Sequence, residues 1–282
     1  MANFVKMQAI GNDFICMKYD EIKQYNLKIF SKFVCDRHFG IGADGVILFT
    51  TSRVANFKMR IFNCDGSEAE MCGNGIRCLA KFLFEKGYTN KKNILIETKV
   101  GIKEIEYITQ NEKIMSIKVK VGIPQIDVNR LPVYIPRNCK YRDNKCKLIF
   151  KLGEKEVTGT FLTVGNPHTV IETLDLKNCQ VTKFGKIVEN YKYFPQKTNV
   201  EFVQIIDNEN IKIRVWERGV GETYGCGTGA VAAFYALYIE NKVKEKINVE
   251  LEGGNVDVYI NKKGEVYLEG NAQNVFEGKI DL

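Results

Sequence analysis

MCGNGIRC at Met71–Cys78 and GCGTGAVA at Gly225–Ala232 are the two stretches that decide how this chain is built. Each sets a cysteine before a Gly-X-Gly turn that opens into a run of helix-forming residues, and Cys226 follows Cys72 by 154 residues. Carried outward, the same spacing lays Gly11 and Asn12 on Gly165 and Asn166, and Phe30, Lys32 and Val34 on Phe184, Lys186 and Val188. It lays Val46 on Val200, Asn56, Lys58 and Arg60 on Asn210, Lys212 and Arg214, and Glu68 on Glu222. Beyond the glycines the spacing shortens by one, pairing Ile94, Glu97 and Gly101 with Ile247, Glu250 and Gly254. A spacing held through the least ordinary residues of both halves is the mark of a duplicated unit.

Each copy holds alternating runs that read as strands, FKMRIF and IKIRVW, then ILIETKV and INVELEG. One well-marked helix per copy starts at the Cys-Gly-X-Gly motif and runs to about Glu85 or Glu240. Many strands around a single helix predict α+β, two pseudo-symmetric domains, each a curled and mostly antiparallel sheet wrapped on its helix. The expected boundaries are residues 1–122 with about 268–282 returning to complete the first domain, and residues 123–267 for the second.

The 282 residues are 45% hydrophobic and 27% charged, enough for a core of either one large or two medium domains. The net charge of +7 comes from lysines scattered singly or in pairs, without the basic clusters interleaved with aromatics that nucleic-acid binding needs. Met1–Asp13 lacks an apolar core of signal-peptide length, and no run approaches a membrane span, so a cytoplasmic location is expected. The nine cysteines (16, 35, 64, 72, 78, 139, 146, 179 and 226) include no CxxC pair, which argues against a disulfide framework or a zinc site. Apart from Cys72 and Cys226 they are read as structural thiols.

Placement singles out those two. The first N–H groups of a helix lack intrahelical partners and carry the positive end of the macrodipole, so they attract carboxylates and favour a thiolate. Glycines there allow a substrate carboxylate to approach the backbone closely. Duplicated domains packed about a pseudo-twofold axis would bring both helix starts to one cleft and put a sulfur on each side of a single carbon. That is an arrangement for removing a proton from one face and returning one to the other.

In these residues the sequence resembles the diaminopimelate epimerases over essentially its whole length. The likeness rests on GNDF at Gly11–Phe14, FNCDGSEAEMCGNGIRC at Phe62–Cys78, GNPH at Gly165–His168, TNVEF at Thr198–Phe202 and ERGVGETYGCGTGA at Glu217–Ala230. The resemblance implies interconversion of LL- and meso-2,6-diaminopimelate in lysine and peptidoglycan precursor synthesis, with neither pyridoxal phosphate nor metal, by a homodimer of two-domain chains. It implies that Cys72 and Cys226 are the catalytic pair, Cys226 being the base toward the LL isomer. Gly73-Asn74 and Gly227-Thr228 match the helix starts that hold the reacting carboxylate. Asn12, Asn63, Asn166, Asn199, Glu217 and Arg218 match side-chain ligands of the substrate's other charges, and His168 and Glu217 match residues that tune the thiols. These types suit a diamino diacid, since a guanidinium can fork onto a carboxylate and a carboxylate can face an ammonium. One departure stands out: some members follow GxGxD with a substrate-contacting Gln, where GIGADG has Gly45, so no ligand role is carried to it. Proline-type racemases, phenazine-type isomerases and a non-catalytic amino-acid-binding or redox-sensing protein are the alternative readings.

Overall fold

The computed structural model describes residues 1–127, 131–134, 140–142, 145–152 and 155–281, and these fall into two compact units. Unit 1 comprises Met1–Lys120 and Glu269–Leu282, and unit 2 comprises Val121–Leu268. Cys139, the Cys146 side chain and Leu282 lie outside the described residues.

Unit 1 opens with β1 (Ala2–Ala9) and β2 (Asn12–Lys18), then α1 (Leu27–Cys35), β3 (Gly45–Thr50), β4 (Phe57–Asn63) and β5 (Glu68–Ala69). There follow α2 (Gly73–Glu85), β6 (Asn93–Thr98), β7 (Gly101–Gln110) and β8 (Lys113–Gly122). Unit 2 continues with β9 (Lys140–Arg142), β10 (Lys145–Leu152), β11 (Lys155–Thr163), β12 (Pro167–Glu172), α3 (Val181–Glu189) and β13 (Asn199–Ile205). It goes on through β14 (Asn210–Glu217), β15 (Gly221–Thr223), α4 (Gly227–Tyr238), β16 (Lys246–Leu251), β17 (Gly254–Ile260) and β18 (Val266–Gly270), whose last residues enter unit 1. The final strand, β19 (Gln273–Ile280), returns antiparallel to β1 with Ala2 opposite Ile280.

The strand order of unit 1 is β19-β1-β2-β3-β4-β6-β7-β8, parallel at β2–β3 and β4–β6 and antiparallel elsewhere. Unit 2 repeats it as β10-β11-β12-β13-β14-β16-β17, parallel at β12–β13 and β14–β16. The duplication is therefore one of topology as well as residues: α1 and α3 coincide under the 154-residue spacing, and so do the first residues of α2 and α4.

The long helix of each unit is the core. In α2, Ile76, Cys78, Leu79, Ala80 and Leu83 are buried among Met7, Phe14, Ile47, Ile61, Ile96 and Val119 from the surrounding strands. Helix α4 is buried along nearly its whole surface, and its small residues Ala230, Ala232, Ala233 and Ala236 let the strands approach closely. The second helix of each unit goes beyond the single helix expected. Helix α1, capped by the Asn26 side chain, packs Phe30 and Val34 on Ile15, Val46, Leu48 and Phe62. Helix α3 packs Val181 and Val188 on Phe161, Val200 and Phe202. These nine-residue helices cover the sheet face opposite the long helix. Among the described residues no helix is long and apolar enough to cross a membrane.

Candidate active site

Both motif cysteines occupy the N-cap of their helix. Cys72 (φ −137°, ψ 124°) and Cys226 (φ −119°, ψ 114°) are extended, and each sulfur accepts the N–H of the residue three places on, Gly75 at 3.4 Å and Gly229 at 3.3 Å. A sulfur thus does the capping normally done by a Ser or Asp oxygen, and its charged form is favoured by the helix end.

Around Cys72, which is partly exposed, the thiol donates toward Asn12 Oδ1 at 3.5 Å, and Asn74 Nδ2 reaches the same oxygen at 3.5 Å. Asn12 Nδ2 donates to Asp44 Oδ2 at 2.6 Å. Behind Asp44 stands a charged cluster in which Arg37 forks onto Asp13, bonds Asp44 at 2.9 Å, and Lys6 pairs with Asp13 at 2.8 Å. Arg77, fully buried inside α2, holds Asn74 Oδ1 at 2.9 Å and the Gly73 carbonyl at 3.2 Å. Asn63 lies at the end of β4, exposed, and donates to Ser67 Oγ at 2.9 Å. Gly45 is held by close approach of backbones, since a Cβ there would lie 2.7 Å from the Phe62 carbonyl oxygen.

Around Cys226, Thr228 Oγ1 lies 3.4 Å from the sulfur, and Glu217 accepts the Thr223 hydroxyl at 2.6 Å. Burial drives the Cys226 thiol well above its ordinary value, and the Glu217 and Glu201 carboxylates push the same way against Thr228 and the Gly229 N–H. His168 is fully buried, with Nδ1 2.7 Å from Glu201 Oε1 and Nε2 2.9 Å from Asn166 Oδ1. Asn199 is buried with both ends of its amide engaged, donating to the Pro167 carbonyl and accepting the Arg218 N–H, each at 2.9 Å. It shapes the turn that presents Arg218, whose exposed guanidinium donates to the Gln196 carbonyl at 2.9 Å.

In unit 1 the structure gathers Asn12, Cys72, Gly73 and Asn74 at one helix start, and in unit 2 it gathers Asn166, His168, Glu217, Cys226, Gly227 and Thr228 at the other. Asn63, at the end of β4, and Arg218, in the turn after β14, are exposed. Sequence reasoning passed over Glu201, Arg77 and Asp44. Under the duplication Glu201 falls on Ile47, His168 on Phe14 and Arg77 on Val231, so a buried polar residue opposite a hydrocarbon was the available signal. Among the described residues no group of three His, Cys, Asp or Glu side chains is arranged to hold a metal ion.

The architecture is shared with solved structures of low sequence identity. A Bacillus anthracis phenazine biosynthesis protein of the PhzF family superposes with a TM-score of 0.71 at 19% identity, covering 100% of this chain and 99% of that one. A probable proline racemase from Agrobacterium radiobacter K84 matches at 0.71 and 12% identity, covering 100% and 93%. At those identities the likeness is one of fold. The diaminopimelate epimerase family model matches residues 4–126 and 160–275, and the chain belongs to that family. It is 42% identical to the diaminopimelate epimerase of Methanococcus maripaludis strain C5, over 99% of each chain, and 40% identical to that of Agathobacter rectalis, again over 99% of each.

Proposed function

We propose that this chain interconverts LL- and meso-2,6-diaminopimelate without a cofactor, using Cys72 and Cys226 as the acid–base pair. The observation that carries the reading is the repeated helix start, a cysteine N-cap followed by Gly-X-Gly, in a chain about two-fifths identical to named diaminopimelate epimerases over its full length. One thiolate removes the α-proton, becoming a thiol, while the electron pair left on carbon spreads into the α-carboxylate. The other thiol then delivers its proton to the opposite face and is left as the thiolate. The reaction needs one sulfur on each face, the roles read here for Cys72 and Cys226. First-turn N–H groups at Gly73-Asn74 and Gly227-Thr228 hold the carboxylate and oppose the charge that develops on it.

In this reading Cys226 is the base toward the LL isomer. The free protein with Cys226 protonated is then the form that acts on the meso isomer, and the form with Cys226 ionised acts on the LL isomer. The high basicity of a buried thiolate suits it to a carbon acid as weak as an amino-acid α-carbon. Asn12, Asn166 and Asn63 bind polar ends of the substrate, Arg218 takes the distal carboxylate and Glu217 an ammonium. Asn199 acts through the turn it builds, and His168 and Glu217 tune the sulfurs. A cytoplasmic homodimer is the working form.

The test is incubation of reduced protein with LL-diaminopimelate in deuterated water. Deuterated meso product, abolished by Cys72→Ala and by Cys226→Ala, is expected. Absence of both product and exchange from folded, reduced protein would overturn the assignment.

A further inference from the structure

His168 on β12 and Glu201 on β13 face each other in the interior of unit 2, both fully buried, at the positions that Phe14 and Ile47 fill in unit 1. Because unit 1 packs hydrocarbon at those positions, filling the core does not require an ionisable pair. The imidazole lies between two oxygens. Asn166 Oδ1 can only accept, so Nε2 must carry hydrogen. One further proton is shared along the line from Nδ1 to Glu201 Oε1, and on either atom the pair has no net charge and Nε2 keeps its hydrogen. Glu201 Oε2 is buried without a partner among the described residues, and burial raises that carboxyl while His168 opposes the rise.

The consequence falls on an amide. Asn166 turns its oxygen inward to His168, leaving the NH2 without a partner among the described residues. Asn12, its counterpart, is set the other way, because Asp44 takes its NH2 and leaves the oxygen facing Cys72. We propose that Glu201 is a positioning residue which, through His168, holds the Asn166 NH2 toward substrate, and that Asp44 holds the Asn12 oxygen. The two copies of one asparagine thereby offer a donor for a carboxylate and an acceptor for an ammonium or a thiol. This rests on an amino-acid substrate, the reading given above.

The chain has two histidines, so 15N-histidine labelling gives two ring systems to follow by NMR. The His168 ring is expected to keep its proton on Nε2 across neutral pH in the wild type. Glu201→Ile, which writes in the unit 1 residue, releases it to a mixture of tautomers and raises KM for diaminopimelate about tenfold with a smaller change in kcat. Glu201→Gln, whose amide still donates to Nδ1, keeps the Nε2 proton and stays within about threefold of wild-type KM. Asn166→Ala raises KM as Glu201→Ile does, and the double variant is no worse than Asn166→Ala alone. Should Glu201→Ile fail to fold, His168→Phe/Glu201→Ile, which restores the unit 1 pair, replaces it in the same cycle. An unchanged ring and KM in the Ile variant, a Gln variant as impaired as Ile, or effects that multiply would overturn the proposal. If the wild type does not epimerise diaminopimelate, the functional reading fails, while the ring spectra still decide whether Glu201 sets the His168 proton.

Discussion

A Cβ on Gly229 would lie 2.9 Å from Glu201 Oε1, whereas the equivalent Cβ on Gly75 would meet the Ile47 methyl at 3.1 Å. The glycine three places after each cysteine therefore has different work in the two halves: in unit 2 it makes room for a buried carboxylate and in unit 1 for a hydrocarbon. Gly229→Ala is expected to cost about 1–3 kcal/mol, because the carboxylate cannot retreat without leaving His168. Gly75→Ala is expected to cost less than about 1.5 kcal/mol, because a methyl group can rotate aside. Urea unfolding of the two variants measures the difference, and equal costs would contradict this account.

Gly185, in the middle of α3, lies flat against Trp216, where a Cβ would come within 2.5 Å of the indole Cγ and 2.6 Å of its Cβ. Trp216 is the only tryptophan, and its Nε1 donates to Glu189 Oε2 at 2.7 Å. Gly185→Ala should push α3 off β14, shift the tryptophan emission and destabilise unit 2 by about 1–3 kcal/mol. Wild-type emission with unchanged stability would show that the helix has more room than described.

Burial works to raise the Asp13 carboxyl, but the Arg37 guanidinium and the Lys6 ammonium outweigh it and hold it at about 2. A carboxyl lower in the folded than in the unfolded chain contributes stability that is full above about pH 4 and is lost as pH falls toward 2. Asp13→Asn should therefore lower stability at neutral pH by about 2 kcal/mol and flatten the acid limb of the stability curve over that interval. Thermal melts between pH 2 and 7 provide the check, and an acid limb parallel to wild type would exclude Asp13 as its source.

Burial first, and then the Glu217 and Glu201 carboxylates, push the Cys226 thiol well above its ordinary value. Its alkylation by iodoacetamide should lag behind that of exposed Cys64 and accelerate as pH rises. Glu217→Gln removes one negative charge near the sulfur and should move the Cys226 alkylation profile toward lower pH. Mass spectrometry of peptides from timed reactions reads all three, and a Glu217→Gln profile moved upward would reverse the electrostatic argument.

The α+β class and its duplication were legible because the defining residues are ones that local chemistry demands. Gly73 and Gly75, like Gly227 and Gly229, open a helix, and the runs FKMRIF and IKIRVW alternate as strands. Helices α1 and α3 were not separately legible: at nine residues each, their pattern of Phe30 with Val34 and Val181 with Val188 is too short to stand out from neighbouring strands. In the site, residues with an unusual neighbour in the chain were readable, and residues whose meaning comes from across the sheet were not. Glu201 lies among the apolar residues of TNVEF, and only the β12–β13 pairing explains its burial beside His168. Asp44 likewise reads as a turn residue until Asn12 is found bonded to it.

Strand β19 gives the chain an unexpected order of assembly. Unit 2 is contiguous in sequence, whereas β1 must wait for Gln273–Ile280, a strand made after the whole of unit 2, before its outer edge is paired. During synthesis the second copy can therefore close before the first, although the first is made earlier. Until then, one edge of β1 stays open to passing partners on the nascent chain, a vulnerability that chaperones would have to cover.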